Sequence, residues 1–402
     1  MNLCLPYASV YMLALGMSDI QLGMLVTIGM LSQVVFGLLG GIITDKLGRR
    51  LTTALFDVVA WGIPCLIWFA ASLVNPTWAF WFFLGASIIN GTFKVTQNSW
   101  DCLMVEDATR DQITGIYSLV IVAGHLSAIF APIAAVLVAQ FSLVMAVRIL
   151  YLNAFVVMMI KIIWLYRRSH ETDMGVKRRQ ETKGVSIWKL LVGYAGVLKI
   201  ILRSRGTIFS LVIAIIVTAV GTINSTFWQV VVSKKLQTPE ALLPIFAMGR
   251  SMIAMIFLFT VVPRITKTLN LRQPLLIGFV VYVIGQVLLA SIPAPETSAT
   301  ASTYVAICVS LVFDGFGVGI LAMLAESLVA LHVDREERSR VMAVQHTIIM
   351  LAVSPFGWIS GILSDISRSL PFVLTAIILA LGILVTVVYY RRNREMTPSD
   401  FE

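Results

Sequence analysis

The chain has 402 residues, 58% of them hydrophobic and only 13% charged. A soluble fold of this length has too little interior to hide that much apolar surface, so composition excludes soluble and disordered classes and indicates an integral membrane protein. The formal net charge of +9 does not call for nucleic acid, because the lysines and arginines fall between apolar runs, where the positive-inside rule puts them.

The first apolar run, Met1 to about Leu15, is shorter than the roughly 20 residues that span a bilayer. It reads as a truncated first helix. It carries neither a charged leader nor a small-residue cleavage site, so it is not read as a signal peptide. The next span, near 20–43, runs into Gly41-Ile42-Ile43-Thr44-Asp45-Lys46-Leu47-Gly48-Arg49-Arg50. Glycines there allow close helix approach and a sharp turn, and the cations mark a cytoplasmic loop. Asp45 is placed to accept from the free amides at the start of a neighbouring helix.

The pattern Gly-x-x-x-Asp-Lys-x-Gly-Arg-Arg resembles the signature loop of the major facilitator superfamily of secondary transporters, with every position matched by Gly41, Asp45, Lys46, Gly48, Arg49 and Arg50. The resemblance implies an all-α integral membrane fold of two six-helix bundles related by pseudo-two-fold symmetry, with a substrate path between them near mid-membrane. An ordinary basic membrane anchor would explain the arginines but not the aspartate and glycines.

Further spans are predicted near 51–74, 77–104, 113–140 and 143–166, and, in a second half, near 206–233, 241–262, 274–292, 303–331, 340–363 and 371–390. The division is an N-terminal bundle over 1–168, a cytoplasmic linker over 169–205 with an interfacial amphipathic helix from Trp188, a C-terminal bundle over 206–392 and a tail over 393–402. Internal repetition supports it: Asp101 is mirrored by Glu326, Pro132 by Pro355, and Arg167-Arg168 by Arg391-Arg392. In the second half the signature loop has decayed to Pro263-Arg264-Ile265-Thr266-Lys267. Counting cations by side puts both termini in the cytoplasm of a multi-pass plasma-membrane protein, a bacterial inner membrane fitting best.

Charge at membrane depth is costly and marks where function is sought. Asn90, Lys94, Gln97 or Asn98, and Asp101 recur at helical spacing and form one stripe on the fourth span. Lys94 is either a substrate or ion contact or a cation snorkelling to the interface. The resemblance implies that Asp101, with Glu326 as its repeat mate, pairs with the signature-loop arginines in an inner gate. Arg250 and Asp314 fall at similar depth in one half; they either neutralise each other, which the cost of an unpaired charge favours, or Arg250 is left on the substrate path beside Lys94 to attract an anionic or hydroxyl-rich solute. His125 in the fifth span suits proton coupling if it faces water. Gln33, Asn224 with Trp228 and Gln229, and Gln345 with His346 offer hydrogen bonds and a ring to the path, or bind helices together. Asp57 and Lys161 read as structural.

The four cysteines lie in apolar segments without metal-ligand spacing and read as packing residues. No nucleotide-binding loop, metal cluster or paired nucleophile and base is found, so neither cofactor nor enzymatic reaction is expected. The expected function is secondary transport of a sugar or similar polar solute by a monomer in the lipid bilayer, coupled to protons or sodium. Proton-coupled drug efflux and a non-transporting sensor or assembly subunit are the alternatives.

Overall fold

The computed structural model describes residues 3–109, 112, 116, 119–120, 123–124, 130–184, 205–260, 271–331 and 338–392, and every regular element among them is helical. A short 3-10 turn, Leu5–Tyr7, leads into α1 (Ala8–Ala14); α2 (Asp19–Leu47) follows. Ser18 starts α2 with a capping box: its hydroxyl accepts from the Gln21 amide at 3.2 Å, and the Gln21 side chain accepts from the Ser18 amide at 3.0 Å. Gly48 ends α2 at φ +90° and ψ 161°, backbone that essentially only glycine adopts.

From Gly48 the chain turns into α3 (Arg49–Asp57), a π-helical segment (Val58–Gly62) and α4 (Ile63–Ala70), which together make one span. The fourth span is not the continuous helix expected over 77–104. It consists of α5 (Pro76–Asn90) and α6 (Phe93–Val105), interrupted at Gly91-Thr92. A side chain at Gly91 would collide with Ser32 of α2, whose hydroxyl donates to the Ile88 carbonyl at 2.7 Å. The break lies where α2 passes closest.

The first half continues with α7 (Ala131–Gln140) and α8 (Leu143–Arg168), and α9 (Asp173–Glu181) crosses the signature loop. The second half comprises α10 (Arg205–Val230) with a π-helical end (Val231–Lys235), α11 (Leu243–Thr260), α12 (Arg272–Ser291), α13 (Ala301–Leu331), α14 (Arg338–Ile366) and α15 (Leu370–Arg392). Eight helical segments among the described residues are long and apolar enough to cross a membrane, with Leu5–Ala14 and Ala131–Gln140 as shorter apolar helices. Their outer faces stay apolar, as on α8, where Leu152, Val156, Ile160 and Ile163 are exposed. Such surface suits hydrocarbon, not water. The expected interfacial helix from Trp188, the decayed loop at 263–267 and the tail lie outside the described residues.

The first half is centred on an aromatic group in which Tyr11 meets Phe83 at 6.0 Å and Tyr151 at 5.8 Å between ring centroids, while donating to the Trp68 carbonyl at 3.1 Å. Asp57, buried to 2% exposure, is matched by Lys161 of α8 at 2.6 Å. Asn90 donates to the Ala60 carbonyl at 2.7 Å, inside the π-helical segment, where the altered bonding register makes a carbonyl available. Removing the Lys161 partner alone, in Lys161→Met, is expected to destabilise the protein by about 3 kcal/mol, because it strands a buried carboxylate. Adding Asp57→Asn should recover most of that loss, as read from reversible unfolding in mixed micelles.

Candidate functional site

The two halves meet mainly along α2 and α14, with further contact of α1 with α10 and of α7 with α11. The seam is tight on the face opposite the signature loop, the far face. Gly23 of α2 lies against Gly357 and Gly361 of α14, and a Cβ at Gly361 would come within 2.7 Å of the Asp19 carbonyl. Just outside, Asp19 accepts from the Ser364 hydroxyl at 2.5 Å and faces Arg368 at 3.6 Å.

Thr27 adds a bond that involves the backbone of α14. Its hydroxyl donates to the Ser354 carbonyl at 2.7 Å and accepts from the Trp358 amide at 2.9 Å, the i and i+4 groups that pair in a regular helix. Pro355 lies in the same turn and has no amide to offer the Leu351 carbonyl. The Ser354 hydroxyl donates to that carbonyl instead, at 2.9 Å. The proline turn is therefore completed by its own serine and clasped by a threonine from the opposite half.

Beside this clasp, a cavity of about 510 Å³ lies between the halves. Leu3, Pro6 and Ser9 line it from the first turns, Leu22 and Val26 from α2, Ser225, Thr226 and Gln229 from α10, and Arg250 from α11. The buried Gln229 Oε1 has no hydrogen-bond partner among the described residues. Arg250 reaches the wall from a network anchored on Asp314 of α13, which is 1% exposed. One Asp314 oxygen accepts from Gln286 Nε2 at 2.6 Å and Asn224 Nδ2 at 3.1 Å; the other faces Arg250 at 3.4 Å. Thr375 then donates to Gln286 Oε1 at 2.8 Å. The carboxylate is surrounded by donors, and its one charged partner among the described residues is also the cation at the cavity wall.

Nearer the loop face, Lys94 of α6 lies within electrostatic reach of Asp101 on its own helix and of His346 on α14. Lys94 donates to Gln97 at 3.0 Å and lies over the Phe93 ring at 4.9 Å. The α6 helix makes no extensive contact with the second half among the described residues.

At the loop itself, Arg49 is 4% exposed and joins Asp45, at 2.9 Å, to Glu106, also at 2.9 Å. The acid that meets the signature arginine is thus Glu106, not Asp101, because Asp101 lies more than a turn deeper in the membrane. The carboxylate capping α3 is not Asp45 either. Glu171 accepts from the Arg49 amide at 2.7 Å and from the Arg50 amide at 3.1 Å. In the sequence Glu106 and Glu171 look like ordinary loop charges, and no local spacing singles them out. Gly40 does allow close approach, since a Cβ there would meet the Lys94 carbonyl at 3.3 Å.

The predicted stripe divides at the Gly91-Thr92 break: Asn90 is held by Ala60, while Lys94, Gln97, Asn98 and Asp101 belong to α6. On α10 the lining side is Ser225 and Gln229. Asn224 turns inward to Asp314 and Tyr282, and Trp228 packs edge-on against Phe246 at 5.9 Å, so of the two expected roles both take that of binding helices together and neither lines the cavity. Gln33 on α2 is half-buried; Gln345 is buried, its amide without a partner among the described residues. His125 and the Glu326 side chain lie outside the described residues.

The family model described as Major Facilitator Superfamily matches residues 1–301 and 209–400. No curated protein sequence matches the chain. Among solved structures, that of a single-site mutant of the nucleoside transporter NupG is similar with a TM-score of 0.72 at 16% identity, covering 96% of each chain. A single-site mutant of the peptide transporter POT, in complex with sulfate, gives 0.72 at 12% identity, covering 98% of this chain and 92% of that one. A D-xylose-proton symporter gives 0.69 at 15% identity, covering 96% and 94%. At these identities the likeness is one of fold.

Thr27→Val removes both bonds to α14 while keeping the side-chain volume. It is expected to shift the protein toward a form separated on the far face. Spin labels at Gln21 and Ile366, in a background without native cysteines, should show a longer-distance population; an unchanged distribution would remove Thr27 from the clasp.

Proposed function

Because the chain belongs to the major facilitator superfamily, we propose that it is a secondary transporter carrying a small polar solute by alternating access, driven by a proton or sodium gradient. The observation that carries this reading is the cavity between the halves, with Arg250 at its wall and an unpartnered Gln229 oxygen beside it. Arg250 asks for a hydroxyl or an anion, and the Gln229 side chain adds a polar group to the same wall. A lipophilic cation would face Arg250 with like charge, which sets the drug-efflux reading behind. The similar structures of nucleoside, peptide and xylose transporters concern polar solutes and support the same choice.

In this reading the halves are residues 1–168 and 206–392, and they rock about the cavity. The loop face is cytoplasmic, since the linker and loop cations gather there. The clasp of Thr27 and Asp19 to α14 closes the outer side, and the α6 stripe borders the opening to the cytoplasm. Coupling follows from the Asp314 network. When a solute draws Arg250 away, Asp314 is left in low dielectric with neutral donors only, and a proton taken up there relieves the cost. Return of Arg250 favours its release. Asp45, Arg49 and Glu106 hold the inner end of the first half, and Asp101 and Glu326 belong to the same gate region.

Arg250→Ala is expected to weaken solute binding at least about tenfold, equivalent to about 1.4 kcal/mol. Asp314→Asn should keep binding and exchange across proteoliposomes while losing accumulation driven by a pH gradient. A thermal-shift screen of sugars, nucleosides, dipeptides, organic anions and lipophilic cations identifies the ligand first; stabilisation by lipophilic cations alone would overturn the polar-solute reading. Lys94→Ala should slow transport several-fold and lower affinity for an anionic or hydroxyl-rich solute. Unchanged affinity and rate would return Lys94 to a snorkelling role.

A further inference from the structure

On the loop face a cleft of about 760 Å³ lies between the ends of α2 and α8, the start of α3, and α9 with the residues after it. Four cations converge on it from three segments: Lys46, Arg50, Arg179 and Lys183. The carboxylate among its lining residues is Glu171, and both oxygens of that group already accept from the Arg49 and Arg50 amides. The negative charge is therefore directed at the start of α3, and the cleft keeps an excess of cations. Arg50 is oriented by the Tyr166 carbonyl, to which it donates, and by the Tyr166 ring, 4.2 Å from its guanidinium carbon.

The walls are not left to a loose linker. Thr172 donates to Glu106 at 2.5 Å, the Asp173 amide donates to Asp107 at 3.3 Å, and Thr182 donates to the Asp45 carbonyl at 3.1 Å. Both ends of α9 are thus tied to the first half, which fixes Arg179 and Lys183 opposite Lys46 and Arg50.

The rest of the lining is apolar, from Leu47, Leu51 and Val176. Beside the cleft α8 ends in Trp164, Tyr166, Arg167 and Arg168, all exposed, directly beyond the exposed Ile160 and Ile163. An aromatic and basic end to an apolar face is the mark of headgroup depth. A cleft with a cationic side, an apolar side and an opening at that depth matches an amphiphilic anion. A small soluble anion would use the cations and leave the apolar wall unused.

We propose that this cleft binds the phosphate of an anionic phospholipid headgroup, with the start of the acyl chains against Leu47, Leu51 and Val176. The bound lipid bridges the linker helix to the signature loop and holds α9 in place. The proposal rests on the reading of this face as a membrane border. It is independent of which solute is carried, and its test measures no transport.

The test uses the full chain in dodecylmaltoside, stripped of lipid, and follows thermal unfolding with short-chain phosphatidylglycerol, short-chain phosphatidylcholine or glycerol 3-phosphate added. Phosphatidylglycerol is expected to raise the unfolding temperature by a few degrees, and the other two much less. The gain should disappear in Arg179→Ala/Lys183→Ala and persist in Lys177→Ala, which lies outside the cleft. If the double variant does not fold, the salt dependence of the wild type decides: the shift should fall steeply as sodium chloride is raised. An equal shift with glycerol 3-phosphate would support the phosphate site and assign it to a soluble ligand. An equal shift with phosphatidylcholine, or a phosphatidylglycerol shift that survives either the double variant or high salt, would overturn it.

Discussion

A charge buried within a membrane protein has to be matched inside the protein, and the structure is arranged around three such matches. Asp57 is met by Lys161, Arg49 by Asp45 and Glu106, and Asp314 by Arg250 with two amide donors. Stranding any of these ions costs several kcal/mol. Each match fixes the helices that carry it. The first joins α3 to α8, the second ties the signature loop to the end of α6, and the third gathers α10, α11, α12 and α13 about one carboxylate.

The three differ in what their cations can still do. Lys161 is 41% exposed, lies over the Trp100 ring and has no part in the cavity. Arg49 is enclosed and acts as a rivet. Arg250 stands at the cavity wall with its partner behind it, which makes its pairing the one that borders the space between the halves. Burial does not distinguish Asp57 from Asp314, whose side chains are each 2% exposed; access of the cation to the space between the halves separates them.

Closure on the far face relies mostly on neutral groups, with the pair of Asp19 and Arg368 at its outer edge. Glycines let α2 and α14 touch backbone to backbone, and one threonine hydroxyl satisfies a carbonyl and an amide across the seam. The glycine and threonine contacts desolvate little charge and can form and break without stranding an ion, which suits the separation that the proposed mechanism asks of this face. The linker works in the opposite sense. Thr172, Thr182 and Glu171 tie it to the first half at several points, so the signature loop is held by a segment distant in sequence as well as by its own charges.

By itself the sequence determined the class of fold. Spans of apolar residues, cations between them and a fully matched signature string follow from bilayer thickness, the cost of charge in hydrocarbon and the turn geometry of glycine, all of which act locally along the chain. The pairing of Arg250 with Asp314 was legible for the same reason, since two opposite charges at equal depth in one half have few other ways to be neutralised. Only the tertiary structure decided which face of each helix looks at the cavity. A rotation of one position on α10 exchanges Asn224 and Trp228 for Ser225 and Gln229, and the chain is apolar enough on both sides that periodicity does not choose. The break at Gly91, the selection of Glu106 over Asp101 and the capping of α3 by Glu171 depend on the approach of segments up to 122 residues apart. No local spacing records an encounter of that range.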